Sequence, residues 1–177
     1  MFDFNIDENY SLEYMHKMNA SDLFEFIDSN REELSEFLSW VHLIQTKYDE
    51  QKYIDLLKSN KTSISFIILF EGKIIGTNGF LCIDDINKNA QIGYCMDKNF
   101  KGKGINTKAT KKIIEFGFSE LDLQRIEFRI ASKNIKSKAV ANRLSAKFEG
   151  TLRKSYLLHN EFVDLEVYSI LKNEYKT

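Results

Sequence analysis

Apolar and polar positions along the chain change period about one third of the way in. From residue 19 to 41, "NASDLFEFIDSNREELSEFLSWV", the residues Leu23, Phe24, Phe26 and Ile27 recur at helical spacing. Ser21 suits the N-cap, because its oxygen can accept a first-turn amide, and Asp22 complements the positive helix end. "SLEYMHKM" before it reads as a first strand. A second helix is predicted from about Tyr48 to Lys58, with Tyr53, Ile54 and Leu57 on one side. The period then shortens. "SISFIILFEGKIIGTNGFLCI" reads as two strands joined at Glu71-Gly72-Lys73, with glycine near the tip as hairpins favour. "AQIGYCMD" is a third strand. "INTKATKKIIEFGFSEL" returns to helix, with Ala109, Ile113, Ile114 and Phe116–Phe118 as its apolar face. "RIEFRIA" alternates as a strand. "IKSKAVANRLSAKF" predicts a helix carrying Val140, Leu144 and Phe148 at steps of four. Two closing strands follow near Glu149–Leu157 and Phe162–Leu171. This order predicts an α+β fold, a mixed and mostly antiparallel central sheet flanked by helices.

No repeat, low-complexity tract or Gly/Ser linker breaks the pattern, so residues 1–177 are expected to form a single domain. A length of 177 residues is enough for a real core. The net charge of −1 supplies no field to attract nucleic acid or a membrane surface. No apolar run approaches the ~20 residues of a membrane span. The opening "MFDFNIDENY" lacks the basic-then-apolar layout of a secretion signal, so a cytoplasmic location is expected. Cys82 and Cys95 each stand alone in an apolar stretch. Without a CxxC pair no metal site is expected, and both read as small buried hydrophobes.

The stretch "NFKGKGINTKA", residues 99–109, lies between a strand and a helix. First-turn amides of a helix have no internal acceptor, and the helix dipole adds positive charge there. Gly102 and Gly104 let the backbone approach an anion, and Lys101 and Lys103 bring full charges. Two common phosphate patterns are absent: there is no GxxxxGK[ST], and Gly104 is followed by Ile, Asn and Thr rather than completing GxGxxG. By itself the stretch suits a solvated turn as well as a phosphate cradle.

Four stretches together resemble the GNAT superfamily of acetyl-CoA-dependent N-acetyltransferases, in particular the branch that acetylates N-terminal amines of ribosomal proteins. "IGYCMDKNFKGKGI" is similar to the family's strand and pyrophosphate loop, usually (Q/R)xxGxG/A. "NIKSKAVANRLSAKFEGTLR" resembles NxxSxxV…LGFxxEGxLR. "FVDLEVYSIL" resembles the closing strand, and "LSWVHLIQTKYDEQKYI" the N-terminal helix region with its tryptophan. Two departures stand out. Asn99 occupies the place of Gln or Arg, and "SAKF" replaces "LGF", with Ala146 and Lys147 in place of leucine and glycine. Lys147 at a helix end lacks glycine's ease with positive φ.

The resemblance implies a GNAT fold and acetyl-CoA as co-substrate, with no metal. It implies that Tyr94, Cys95 and Met96 hold the pantetheine arm and thioester oxygen. Lys101, Gly102, Lys103, Gly104, Ile105, Asn106 and Thr107 would hold the pyrophosphate, and Asn134 the pantetheine chain. Ser137 would approach the sulfur as acid or hydrogen-bond donor. For Asn134 and Ser137 a plain helix start is the competing reading, since both favour N-caps. The branch's catalytic glutamate falls on Tyr156, a poor base at an unperturbed pKa of about 10. His159 and Glu161 stand nearby in sequence; a water chain or a base elsewhere are the alternatives. Trp40 would sit at the acceptor rim, and Asp164 would orient substrate or satisfy backbone groups. The implied partners are an amine acceptor, a protein N-terminus or a small amine, and a second copy, since family members are often dimers. A polyamine or antibiotic acetyltransferase is a rival reading, with Asp84, Asp85 and Glu8 as candidate acidic residues. A non-catalytic acyl-CoA sensor that lost its base is another.

Overall fold

The computed structural model describes residues 4–175. Among them, seven strands form one sheet in the order β1-β2-β3-β4-β5-β7-β6. The first half is an antiparallel meander of β1 (Tyr10–Tyr14), β2 (Ile64–Phe70), β3 (Lys73–Asp84) and β4 (Asn89–Met96). The second half contains β5 (Arg125–Ala131), β6 (Lys147–Leu158) and β7 (Glu161–Leu171), also antiparallel. The halves meet where β4 runs parallel to β5 through Asn89–Arg125, Ala90–Ile126 and Gln91–Glu127. A parallel join needs a crossover, which α4 (Ile105–Ser119) provides. Beyond Gln91 the two strands part. From Ile92 onward β4 pairs only with β3, and from Phe128 onward β5 pairs only with β7.

Side chains alternate across the sheet and sort the helices onto two faces. Phe66 and Ile68 join the core built with α4 and α5 (Ile135–Arg143). Ile67, between them, packs against α1 (Ala20–Ser29) and α3 (Lys47–Ser59). Cys95 meets α1, α2 (Arg31–Ser35) and a 3-10 turn at Ser39–Leu43 through Phe26, Leu34 and Val41.

Several local expectations need correction. The first strand ends at Tyr14, and Met15–Lys17 is a 3-10 turn. The cap of α1 is Asn19, whose Oδ1 accepts the Ser21 N–H at 2.8 Å; Ser21 lies inside the helix. The helix expected to run to Val41 breaks at Asn30. That buried side chain donates to Phe26 O at 2.9 Å and Asp97 Oδ2 at 3.1 Å, and accepts the Lys98 N–H at 3.1 Å. Asn30 thus ties the helix end to the end of β4. The last helix stops at Arg143, not Phe148. Ser145, at φ 60°, takes the left-handed closing position, while Ala146 N–H donates to Ala141 O and Ser145 N–H to Asn142 O, each at 3.0 Å. Lys147 and Phe148 therefore belong to β6, and Phe148 is exposed. Cys82 is also exposed, at φ 51° in an irregular stretch of β3, whereas Cys95 is buried as expected.

Candidate active site

The parting of β4 from β5 opens a cavity of about 710 Å³ that passes through the sheet. On one face it is walled by Phe26 of α1, Trp40 of the 3-10 turn, and Glu50 and Tyr53 of α3. On the other face it reaches Asn134 and Ser137 at the start of α5. The unpaired edge of β4 runs along it, contributing Gly93, Tyr94 and Cys95.

The Tyr94 hydroxyl donates to Ser137 O at 3.0 Å, which pins α5 against β4. Burial holds this phenol above its usual range. Asn134 is the N-cap of α5, and its Oδ1 accepts the Ser137 N–H at 3.0 Å. The helix-start reading thus holds geometrically, and the same cap fixes both residues at the cavity wall. Cys95 points to the opposite face, with Sγ 3.1 Å from Thr77 Oγ1, and burial pushes its thiol up. Met96 is buried in the α4 core and does not line the cavity.

Tyr156 projects from β6 into the cavity wall, but its hydroxyl is engaged. It accepts the Ser39 N–H at 2.8 Å and donates to Phe37 O at 3.3 Å. It straps β6 to the segment carrying Trp40, which is itself 38% exposed at the cavity. Asp164 lies outside the cavity lining. Its Oδ1 accepts the Lys154 N–H at 2.8 Å and its carbonyl accepts the Ser132 N–H at 3.0 Å, so it satisfies backbone groups. His159 sits with Asn160 in the β6–β7 turn, both at positive φ, and neither it nor Glu161 lines the cavity.

Past β4 the chain makes a 3-10 turn at Lys98–Phe100, with Asp97 Oδ1 accepting the Asn99 N–H at 2.7 Å. Gly102 and Gly104 both take left-handed φ values of 77°. A Cβ at either would meet nothing within 4 Å, so conformation, not crowding, calls for glycine. Gly104 caps α4 with no side chain, leaving the first-turn amides of Ile105, Asn106 and Thr107 facing outward. The Asn106 Oδ1 is buried without a partner. Lys101 pairs with Glu33 at 2.6 Å, and Lys136 approaches the same carboxylate at 3.3 Å. The Lys101 hydrogen bond is the main reason that carboxyl sits below its usual range. Lys103 instead places its ammonium 4.8 Å from the Phe100 ring centroid. Open space over two left-handed glycines and an uncapped helix end fit a phosphate group.

The comparisons with known proteins agree with this geometry. The model of the acetyltransferase (GNAT) domain matches residues 12–147. The chain belongs to the GNAT family. It is 26% identical to the ribosomal-protein-serine acetyltransferase of Escherichia coli (strain K12) over 167 residues, 93% of each chain. A solved RimL, a ribosomal L7/L12 alpha-N-protein acetyltransferase in complex with coenzyme A, superposes with a TM-score of 0.91 at 22% identity, over 97% of this chain and 99% of that one. The microcin C7 self-immunity acetyltransferase MccE, in complex with acetyl-CoA and AMP, gives 0.86 at 29% identity, over 94% of each. This GNAT protein is therefore an acetyl-CoA-dependent acetyltransferase with the expected GNAT sheet. Among its described residues no group of side chains could hold a metal ion, and no helix is long and apolar enough to cross a membrane.

One residue of this GNAT site escaped the sequence reading. Glu50 is 2% exposed, lines the cavity, and leaves Oε2 without a hydrogen-bond partner. A signal was present: Glu50, Tyr53, Ile54 and Leu57 share the i, i+3, i+4, i+7 stripe, so an acid occupied an apolar position. Asp84 does not line the cavity; it closes a turn by accepting the Ile86 and Asn87 N–H groups. Asp85 and Glu8 are likewise outside the lining.

Proposed function

We propose that this protein acetylates the N-terminal amine of a protein, of the ribosomal-protein class for which its Escherichia coli relative is named. The charge of the cavity carries the reading. Its wall holds one carboxylate among the described residues, Glu50, and one cation, Arg129, already paired with Glu127 at 2.6 Å. A polyamine would want several carboxylates, whereas a single terminal amine matches one. Alignment to that relative over 93% of the chain supports the same class. Such an acceptor places the reaction in the cytoplasm.

Bound acetyl-CoA supplies an activated thioester. The amides of Ile105 to Thr107, opened by Gly102 and Gly104, hold its pyrophosphate, with Lys103 as the adjacent cation. The unpaired edge of β4 around Tyr94–Met96 offers backbone groups to the pantetheine arm and the thioester oxygen. Fixed amide donors steady the charge that builds on that oxygen. Asn134 and Ser137 line the same passage, and the Ser137 hydroxyl donates to the departing sulfur. Trp40 borders the acceptor, and Tyr156 positions that border through Ser39 and Phe37. Holding both substrates in one passage supplies much of the rate.

Thiol release from acetyl-CoA, followed with N-terminal peptides, polyamines and aminoglycosides, tests the proposal. Peptide amines should support turnover best. Turnover confined to polyamines or aminoglycosides would replace the acceptor class.

A further inference from the structure

Glu50, whose charge matches the acceptor amine, is given no chemical step by this mechanism. It sits in the first turn of α3, which a reciprocal cap holds rigid. Thr46 Oγ1 accepts the Asp49 N–H at 3.3 Å, and Asp49 Oδ2 accepts the Thr46 N–H at 3.0 Å. Leu23, Phe26, Ile27 and Cys95 line the same cavity, and Ile54 and Leu57 on the same helix stripe are buried. Cys95, which lines the same cavity, lies on β4, the strand whose preceding residue, Tyr94, is tied to Ser137. A buried carboxylate oxygen with no donor is unfavourable, and native folds rarely keep one without a use. The position belongs to an apolar stripe, where a leucine would pack without this penalty.

We propose that Glu50 receives the acceptor's ammonium at the inner end of the cavity and takes its proton. The assignment rests on the acetyl-transfer reading above. It places the proton acceptor on α3 instead of β6, where Tyr156 is already engaged. Burial raises the Glu50 carboxyl to about 7, so it is substantially ionised near neutral pH and still basic enough to accept a proton. The other titratable groups lining the cavity are Tyr53, Tyr94, Cys95, Arg129 and Tyr156. Tyr94 and Cys95 are pushed up by burial, and Arg129 is held by Glu127. Tyr53 shares the helix, with its hydroxyl 3.5 Å from Ser65 Oγ. α1 contributes no charged group to the lining.

The step balances as follows. The Glu50 carboxylate removes one proton from the ammonium. The freed nitrogen lone pair forms the C–N bond to the acetyl carbon. The C–S bond breaks with its electron pair on sulfur, the Ser137 hydroxyl gives that sulfur a proton, and the second amine proton replaces it on Ser137. Glu50 then returns its proton to solvent, for a net release of one proton. The apolar walls from Phe26, Ile27, Trp40 and Leu43 select an amine carried on a short, uncharged residue. A second cation on the acceptor would find no partner there.

The test uses the full chain, acetyl-CoA and peptides beginning with Ser, Ala or Lys. Glu50→Gln should lower kcat/KM at least ~100-fold, the lower range for a general base. It should abolish the rise of kcat/KM around pH 7 and leave acetyl-CoA affinity unchanged. Glu50→Asp should recover part of the rate and of the pH dependence. A melting temperature for Glu50→Gln at or above the parent excludes a merely structural role. Activity within threefold of the parent, or an intact rise near pH 7, would overturn the assignment while leaving the acetyl-transfer reading in place. If the parent itself turns over no peptide amine, the acceptor reading fails, and the role of Glu50 fails with it.

Discussion

Two regions of this molecule suit charged groups in opposite ways. The loop before α4 does so in the open, with Gly102, Gly104 and the bare amides of a helix start. The cavity wall at α3 does so in the dark, with one buried carboxylate in a lining that is mostly apolar. The loop needs no burial, because helix geometry orients its donors whatever packs nearby. Glu50 needs burial, because only the loss of water brings its carboxyl near neutral pH. The first device is local, and the second depends on the elements that wall the cavity. Their failure modes should differ accordingly.

The sharpest contrast lies in stability against pH. The folded-state pKa of Glu50, about 7, stands above its ordinary 4.5. The folded state therefore binds more protons than the unfolded chain between those values. The stability this gives is complete below 4.5 and is lost as pH rises through about 7. At 1.36 kcal/mol per pKa unit, the swing is about 3 kcal/mol. Glu50→Gln removes it, so the variant's stability relative to the parent should improve by about that much from pH 4 to pH 8. Urea unfolding at the two pH values measures it, and an equal difference at both would mean the carboxyl is not desolvated. Loop substitutions should leave this swing untouched.

The converse variant is Gly104→Glu. It forces a side chain into a left-handed position and sets a negative charge over the helix start. The acetyl-CoA dissociation constant should rise at least ~10-fold, or ~1.4 kcal/mol, by calorimetry. Glu50→Gln should not move it, and an unchanged constant in Gly104→Glu would remove the loop from the site. Asn134→Ala gives the smallest effect. Loss of the α5 cap should reduce unfolding stability by about 1 kcal/mol, and Asn134→Asp should restore it. If Asp restores stability but not acetyl-CoA affinity, the amide group also contacts ligand.

The same contrast explains what could be read in advance. Periodicity placed α3, β2, β3, β5 and α4 within a few residues, because each buries a continuous stripe or an alternating face. The glycine loop was legible as a break between β4 and α4, but its own residues suited a solvated turn equally, and the phosphate expectation came from the resemblance of the stretches around it. The end of α5 was not legible. Val140, Leu144 and Phe148 kept helical spacing, yet Ser145 closed the helix from a left-handed position that its residue type does not announce. The exposure of Cys82 follows from an irregular stretch of β3 that shifts its register, which alternation cannot show. Tyr156 and Asp164 were located on the right strands, but their hydrogen bonds to Phe37, Ser39 and Lys154 join segments far apart in sequence. Glu50 was passed over although it occupies an apolar position of the α3 stripe, because a stripe does not show that a cavity opens beside it.

The short parallel ladder between β4 and β5 has a mechanical consequence. Only three residue pairs join the two half-sheets, and past Gln91 the seam lies open. A pantetheine arm laid along the free edge of β4 would act as a temporary strand, bridging what the polypeptide leaves unbridged. Each turnover would then insert and withdraw a brace. Amide exchange with deuterium along residues 92–96 would slow when the brace is in place and quicken when the product leaves. On the proposed reading, the seam is the part of the fold that its own substrate would complete.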